Sequence, residues 1–376
     1  GRSFLAPRQE GERSVAVFHI LTLAGCAVAI YLACEWFVNA IEWVGVRLRV
    51  GTLAVGTVLA AIGTALPESV VTLVAVTLGK GADSKDIGVG AAMGGPLALA
   101  TIAYGVTGAM LLLRARRQAA LAVEAQESEA AEYVGSAHRD RQDPLVVAHR
   151  DLFTGVDGDR LARDQTWFLA IFIVKVGLGL VAFAFKPWLG LMFFAMYAVY
   201  FVREMRDDSE AHSDVDLDPL KLQPRRTTPS TWAVAVQTIG TLAIIFFASH
   251  LFVQQLEWAG PALGLSAVVT ALLLSPIATE LPEVMNAIIW VRQGKTHLAL
   301  ANISGAMMIQ ATVPSGIGIL FTPWKFGGAL LLSGLVTMAA IVYLLTLIRS
   351  RRFTARRLTY VAGLYLVFAF GLLFVT

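Results

Sequence analysis

Long apolar stretches separated by polar segments make up most of this chain of 376 residues. A helix needs about 20 mainly apolar residues to cross the hydrocarbon core of a bilayer. Such runs occur ten times, although the fifth is short and only Lys186 and Pro187 separate it from the fourth. The pattern predicts an all-α polytopic membrane protein with ten transmembrane helices, near residues 15–43, 52–78, 87–113, 167–185, 187–202, 232–258, 262–291, 297–321, 326–347 and 357–375.

The two halves of the chain match each other at a constant offset of 215 residues. FVNAIEW at 37–43 corresponds to FVQQLEW at 252–258, and GTALPE at 63–68 corresponds to ATELPE at 278–283. Each half holds five predicted spans, an odd number, so the second half enters the membrane from the opposite side. The sequence therefore predicts two inverted five-helix repeats, an arrangement from which many secondary transporters are built.

Two hydrophilic stretches interrupt the repeats. The first, 114–166, begins as an Ala- and Glu-rich helical continuation and is interpreted as an insert in the first repeat, 1–202. The second, 203–230, is interpreted as an acidic linker before the second repeat, 231–376. Its acidic cluster is more typical of a solvated loop than of a regulatory cation site, and consists of Asp207, Asp208, Glu210, Asp214, Asp216 and Asp218.

Lys and Arg indicate the orientation, because cytoplasmic loops of membrane proteins carry an excess of these residues. If the last loop, 349–357, is cytoplasmic, the loops on that side hold 22 of the 30 Lys and Arg residues. This predicts a multi-pass protein of the plasma membrane, or of the inner membrane in a prokaryotic cell. Both termini are then outside and the acidic linker is cytoplasmic.

Composition narrows the class of partner. Hydrophobic residues make up 56% of the chain and charged residues 15%, with a mean hydropathy of +0.66. The net charge of +3 is too small to indicate nucleic acid. We therefore expect the lipid bilayer and inorganic cations as partners. Cys26 and Cys34 lie on one predicted helix, about 12 Å apart along its axis, which is too far for a disulfide.

The matched motifs place Glu68 and Glu283 inside apolar runs, each directly after a proline. A charge at membrane depth is costly and is functional by default. The alternative is a proline kink with a glutamate that only bonds a neighbouring helix. Because both motifs keep Thr, Pro and Glu in register, a functional role for the two glutamates is the better interpretation.

Each motif offers several oxygen ligands at one depth. Proline has no N–H and leaves the carbonyl four residues earlier without its helical partner, and a threonine lies one turn before each glutamate on the same face. The predicted ligands are the carboxylates of Glu68 and Glu283, the hydroxyls of Thr64 and Thr279, and the carbonyls of Gly63 and Ala278. Six hard oxygens with two charges suit calcium. The spans contain no Cys cluster or His pair spaced for a soft metal.

Three further polar residues lie near the second motif. Glu280 has no twin, since its equivalent is Ala65, and it lies on nearly the same face as Glu283. It is a candidate third ligand or proton carrier, or a group that bonds its neighbours. Asn302 and Ser304 lie on the small-residue helix that follows, where either helix packing or a position facing the site is expected.

The paired charges also predict exchange. An empty site would hold two buried carboxylates without compensation, which is unfavourable. Such a site is expected to change from one side of the membrane to the other only when one divalent ion, monovalent ions or protons neutralise it. The flux of one cation is thereby coupled to the flux of another.

Three features outside the motifs carry secondary predictions. The Asp-Gly-Asp sequence at 157–159 lacks the full spacing of a calcium-binding loop and indicates a turn. Lys175, within the fourth span, is expected to reach the interface or to pair with an acid. Glu42 and Trp43, at the end of the first span, are interpreted as interfacial anchors.

With these motifs the chain resembles the cation/calcium antiporter superfamily, which includes the sodium/calcium and calcium/proton exchangers. The resemblance rests on GTALPE, close to the family's Gly-Thr-Ser-Leu-Pro-Glu, on ATELPE, and on ten spans in two inverted halves. It implies that Glu68 and Glu283 are the central ion ligands, helped by Thr64 and Thr279. It also implies that the long first and sixth spans slide against the other helices.

The chain departs from the sodium/calcium exchangers in the helix after each motif. Those proteins carry Gly-Asn-x-x-Gly-Ser-Asn there, whereas residues 90–96 read GAAMGGP and residues 301–307 read ANISGAM, which keeps only Asn302. In the family these side chains help to hold sodium, so the departure disfavours coupling to several sodium ions and favours protons. The extra Glu280 points the same way.

These observations predict a secondary active antiporter that moves Ca²⁺ in exchange for Na⁺ or H⁺ by alternating access. The alternative is a Na⁺/H⁺ exchanger on the same scaffold. An intramembrane enzyme is disfavoured, because the sequence has no His-Glu-x-x-His motif and its spans have no Ser/His or paired-Asp arrangement. We expect no cofactor beyond the transported cations.

Overall fold

The computed structural model describes residues 6–77, 82–132, 153, 155–207, 217–262, 264, 272–273 and 275–375. Some helical side chains within these ranges, that of Glu68 among them, are outside the description. Ten helical segments run through the described ranges, without any strand: α1 (Ala6–Leu48), α2 (52–77), α3 (82–132), α4 (Gly158–Leu180), α5 (Leu189–Asp207), α6 (Thr231–Ala262), α7 (275–293), α8 (Thr296–Phe321), α9 (Gly328–Arg349) and α10 (355–372).

The all-α polytopic prediction is confirmed. Within the described chain, six helical stretches are long and apolar enough to cross a membrane: Val15–Leu48, Gly88–Leu121, Lys186–Arg206, Thr231–Phe252, Thr296–Phe321 and Gly328–Arg349. The other four helices, α2, α4, α7 and α10, are shorter, interrupted or more polar. Two of these four, α2 and α7, carry the paired motifs.

Both motif helices are irregular. In α2 a π-helical stretch, Val55–Ala60, precedes the α-helix Ala61–Thr77. In α7 the helix is broken by a turn at Glu280, and Pro282 lies in the first turn of the second part, Leu281–Gln293. Proline suits that position because its missing N–H is not needed there. π-Helical stretches frequently occur at functional sites.

The two halves interlock through equivalent helices. The long helices α1 and α6 pack along each other, α2 packs on α8, and α7 packs on α3. Since α2 and α7 are equivalent in the repeat, as are α3 and α8, each motif helix contacts the small-residue helix of the other half. The motifs of both halves are therefore brought into one helix bundle.

A very close approach in this bundle joins α8 to the π-helical stretch of α2. A Cβ atom added at Gly305 would lie 2.0 Å from the carbonyl oxygen of Thr57. A Cβ added at Gly56 would lie 2.9 Å from the Cβ of Ala301. Only glycine allows the two backbones to meet in this way.

Lys175 neither reaches the interface nor pairs with an acid among the described residues. It is fully buried, and its ammonium group donates to the carbonyl oxygen of Ala92 at 2.7 Å. Pro96, four residues later, has no N–H to offer that carbonyl. The prediction was wrong because the acceptor is a backbone group on another helix that proline leaves without a partner.

The turn predicted at 157–159 is instead the beginning of α4. Asp157 caps this helix, since its carboxylate accepts from the backbone N–H groups of Asp159 and Arg160 at 3.0 Å each. The helix consequently begins at Gly158, before the predicted span start at 167. This earlier start places Asp164 inside the bundle.

Glu42, interpreted above as an interfacial anchor, is buried within the protein. Its carboxylate forms an ion pair with Lys295, at 2.5 Å, and accepts from the indole N–H of Trp290 at 3.0 Å. Lys295, in the connection between α7 and α8, supplies a partner that sequence spacing does not reveal. The end of α1 is thereby tied to that connection.

The hydrophilic stretches are partly described. The helical continuation predicted at the start of the insert extends to Glu132, and residues 133–152 and 154 lie outside the described residues. The acidic cluster also lies outside the described side chains, apart from that of Asp218. Nearby, the carbonyl of Asp218 accepts from Trp43 at 3.0 Å, so this part of the linker packs on α1. Cys26 and Cys34 are free thiols, as predicted.

Candidate functional site

The threonines of the two motifs use their hydroxyl protons within their own helices. Thr64 donates to the carbonyl of Ala60 at 3.1 Å, and Thr279 donates to the carbonyl of Pro276 at 3.3 Å. A hydroxyl that donates in this way keeps oxygen lone pairs for another partner. Both hydroxyl oxygens therefore have lone pairs available for a cation beside them.

The first motif is described in part. A Cβ at Gly63 would lie 3.0 Å from the ring of Phe37 on α1 and 3.2 Å from Leu242 on α6, so α2 passes closely by both long helices here. The side chain of Glu68, the expected partner of Glu283, lies outside the described residues. So does the side chain of Ala278, whose backbone belongs to the first part of α7.

The second motif places two carboxylates in the interior. Glu283 is 0% exposed and Glu280 is 1% exposed. The side chain of Gln310 donates to the carboxylate of Glu280 at 2.5 Å, and that of Asn302 donates to the backbone carbonyl of Glu283 at 3.4 Å. Helix α8 therefore supplies an amide beside each glutamate, of which only Asn302 was predicted.

Gly95 leaves the space that the Glu280–Gln310 pair occupies. A Cβ at this position would lie 2.7 Å from a carboxylate oxygen of Glu280 and 2.1 Å from the amide oxygen of Gln310. At the preceding position, a Cβ on Gly94 would lie 2.4 Å from the ring of Pro276. The glycines of GAAMGGP thus let α3 approach the second motif closely.

Asn286 is a buried polar residue beside the second motif that the sequence did not single out. It is 0% exposed, and neither atom of its amide has a hydrogen-bond partner among the described residues. The same is true of the amide oxygen of Asn302. Asn286 lies three residues after Glu283, on the same helix face. That spacing within an apolar run was the available signal.

Ser304 does not share the contacts of Asn302. Its hydroxyl lies 3.5 Å from a carboxylate oxygen of Asp164 and accepts from Gln165 at 3.3 Å, both on α4. Residues two positions apart lie about 200° apart around a helix, so the two side chains face different neighbours. Of the predicted pair, only Asn302 contacts the backbone of Glu283.

The polar atoms around the second motif are mainly oxygens, and they do not include a cluster of His, Cys, Asp and Glu side chains among the described residues. Among the described side chains, no group of three or more His, Cys, Asp or Glu could hold a metal ion. The described donors are instead two carboxylates, two hydroxyls and three amides, on α2, α7 and α8. Oxygen donors of this kind suit a hard cation such as Ca²⁺.

A ten-helix membrane protein with an irregularity in each motif helix and buried carboxylates at the break in α7 has the architecture of a secondary cation transporter. The sequence pattern of the family described as sodium/calcium exchanger protein matches residues 18–138 and 233–376. The chain belongs to this family, and it is an antiporter-like multi-pass membrane protein.

Similar proteins agree with this assignment. The putative antiporter CaxA of Alkalimonas amylolytica is 24% identical over 354 residues, covering 93% of this chain and 95% of the relative. Solved structures of the sodium-calcium exchanger NCX_Mj share the fold, with a TM-score of 0.65 at 16% identity, over 93% of this chain and 97% of that chain. They include crystals soaked with Na⁺ and Sr²⁺ and crystals soaked with Na⁺ and Ca²⁺. The predicted fold of two inverted five-helix repeats is thereby confirmed.

Proposed function

We propose that this protein is a secondary active antiporter that moves Ca²⁺ across the plasma membrane in exchange for protons, by alternating access. The observation that carries the proposal is the pair of interior carboxylates, Glu280 and Glu283, at the break in α7. The names of the relatives, an antiporter and a sodium-calcium exchanger, support the class of reaction.

Charge balance favours coupled exchange. A buried carboxylate without compensation is strongly unfavourable, so the site exchanges one neutralising cation for another. With Glu68 as the proposed third acid, the site carries three carboxylates, one more than a single Ca²⁺ neutralises. A proton on Glu280 would balance the remaining charge while Ca²⁺ is bound, and protons on Glu68 and Glu283 would take the place of Ca²⁺ when it leaves.

Ligand type favours calcium as cargo. The proposed ligands are oxygens of Glu68, Glu283, Thr64 and Thr279, the carbonyls of Gly63 and Ala278, and the amide oxygen of Asn302. Ca²⁺ takes six to eight oxygen ligands. In this proposal Glu280 holds that proton and is not a calcium ligand, because Gln310 already donates to one oxygen of its carboxylate.

The test is a flux assay with the full chain in proteoliposomes. Imposed proton gradients should drive uptake of radioactive calcium, and the Glu283→Gln and Glu68→Gln variants should each lower the initial rate by at least about a hundredfold, as expected when a charged ligand is lost. A pH-sensitive dye inside the vesicles should report an opposite movement of protons.

Two results would change the assignment. Calcium uptake driven by sodium but not by protons would make sodium the counter-ion. Proton-driven sodium flux without calcium movement would identify a Na⁺/H⁺ exchanger.

The matched control is Asp159→Asn, which changes an exposed residue on α4 and should behave like the parent protein. Unchanged calcium flux in both glutamate variants would exclude the proposed site.

A further inference from the structure

A second buried polar cluster lies where α4, α5 and α8 meet, apart from the glutamates of α7. Asp164 is 4% exposed, and its neighbour Gln165 is 1% exposed. Glu204, on α5, is 1% exposed. Two buried acids outside the proposed cation site need a physical explanation, because each is unfavourable unless compensated.

The two acids are compensated unequally. The guanidinium group of Arg160 forms an ion pair with Glu204, and the hydroxyl of Thr57 donates to the same carboxylate at 3.2 Å. Asp164 accepts from the hydroxyl of Ser304 at 3.5 Å, the outer limit of a hydrogen bond. Of the two carboxylates, Asp164 therefore has the weaker direct contacts.

Water-sized cavities adjoin Asp164 on two sides. One, of ≈ 30 Å³, is also lined by Thr57, Arg160 and His297. The other, of ≈ 10 Å³, is also lined by Tyr200 and Glu204. Volumes of this size hold about one water each.

Polar atoms near these cavities are ready to bind such waters. The hydroxyl of Tyr200, which is 4% exposed, has no hydrogen-bond partner among the described residues. The amide oxygen of Gln165 likewise has none among them. Ordered water commonly satisfies buried groups of this kind, and a water in either cavity would give Asp164 a partner for proton transfer.

Helix α8 connects this cluster to the proposed cation site. Ser304, which contacts Asp164, and Asn302, which donates to the carbonyl of Glu283, lie on the same turn of α8. The next residue, Gly305, fixes that turn against the backbone of Thr57. Asp164 and the backbone of Glu283 are thus connected through a single turn of α8.

We propose that Asp164 is a second proton-binding site, which takes up a proton from the adjoining water cavities and makes calcium exchange depend on protons. This inference rests on the proposed function. The titratable or charged groups that surround Asp164 are Arg160 and Arg163 on its own helix, Tyr200, Arg203 and Glu204 on α5, His297 on α8, Tyr104 on α3, which contacts Gln165, and Asp157 before α4.

The experiment compares two activities of the full chain in proteoliposomes. The first is calcium-driven proton movement, reported by an internal pH-sensitive dye. The second is calcium–calcium isotope exchange at equal pH on both sides, which needs no net proton transfer. Asp164→Asn should lower the first by about tenfold or more while retaining the second, and Asp164→Glu should restore proton movement. Asp159→Asn is the control from the same helix.

Each result decides the question. Proton movement at the parent rate in Asp164→Asn would overturn the inference while leaving the proposed function in place. Loss of both activities in Asp164→Asn and in Asp164→Glu would also overturn it, because Asp164 would then be structural. A parent protein that moves calcium without protons would overturn both the proton-coupled function and this inference, whereas Glu283→Gln is expected to lose both activities.

Discussion

Glu283 and Asn286 lie one helical turn apart on α7, and both are fully buried. The amide of Asn286, without a hydrogen-bond partner among the described residues, costs about 1–3 kcal/mol of stability. A residue that lowers stability in this way is expected where it serves function. At the scale of single residues, Asn286 is therefore a candidate ligand or orienting group for the transported cation.

We predict that Asn286→Leu raises the unfolding temperature in calcium-free detergent solution, because a buried amide is replaced by an apolar side chain of similar size. The same variant should lower calcium affinity by about tenfold, since an oxygen ligand is lost. Thermal unfolding with a chelator and across a calcium titration measures both effects.

Asn39 provides the contrasting control. Its amide is fully used, accepting from the backbone N–H of Lys221 at 3.0 Å and from Gln237 at 3.1 Å, and donating to the carbonyl of Pro219 at 3.2 Å. Asn39→Leu should therefore lower the unfolding temperature. If Asn286→Leu is destabilised to the same extent in the absence of calcium, Asn286 is a structural residue.

At the scale of helices, the contact between α8 and the π-helical stretch of α2 leaves no room for a side chain. A Cβ at Gly305 would lie 2.0 Å from the carbonyl oxygen of Thr57, a backbone atom that cannot rotate away. We predict that Gly305→Ala lowers the free energy of unfolding by at least about 1–3 kcal/mol, because one backbone has to move. Thermal unfolding of the purified protein measures the loss.

The control is Gly177→Ala, within α4, where nothing lies within 4 Å of an added Cβ. Alanine favours the helix over glycine by about 1 kcal/mol, so this variant should be neutral or stabilised. Equal unfolding temperatures for Gly305→Ala and the parent protein would show that α2 and α8 are less tightly packed than described.

Helix existence was predictable from the apolar runs, whereas the ends and partners of helices were not. The hydrophobic pattern of α4 begins near Trp167, but the capping carboxylate of Asp157 starts the helix at Gly158. The burial of Asp164 follows from that early start. Lys175 was misjudged for a different reason, since its acceptor on another helix is known only after packing.

For the candidate site, spacing along the sequence predicted what the repeat preserves. Thr279, Glu283 and Glu280 were identified because they share a turn or a matched motif. Gln310 lies far along α8 from the motif, and its contact with Glu280 depends on how α3 and α8 enclose α7. Such contacts follow from tertiary packing, which local patterns do not determine.

At the scale of the whole molecule, α1 and α6 form a pair of long helices that pack along each other. The family resemblance implies that these two helices slide against the remaining bundle. Glu42, near the end of α1, forms its ion pair with Lys295 in the connection between α7 and α8, which belongs to that bundle. We therefore propose that this ion pair holds α1 in the conformation described here.

We predict that Glu42→Gln shifts the protein toward other conformations. The hydrogen bond from Trp290 can remain, but the ionic part of the contact with Lys295 is lost, which is worth about 1.4 kcal/mol or more, or tenfold in population. Cys34 offers a built-in probe, because its thiol is fully buried on α1 beside the carbonyl of Pro282 at 3.8 Å. In a Cys26→Ala background, Glu42→Gln should speed thiol labelling of Cys34 by about tenfold.

Lys221→Met is the matched control for this prediction. It removes another ion pair of α1, between Lys221 and Glu35 at 2.9 Å, whose side chains are both partly exposed. Such exposed pairs contribute little, and Lys221 belongs to the linker segment that packs on α1, so labelling should not change. Saturating calcium should slow labelling in the parent protein and in Glu42→Gln if the described conformation is the one that holds the ion. Equal labelling of Glu42→Gln and Lys221→Met would mean that the contact between Glu42 and Lys295 does not restrain α1.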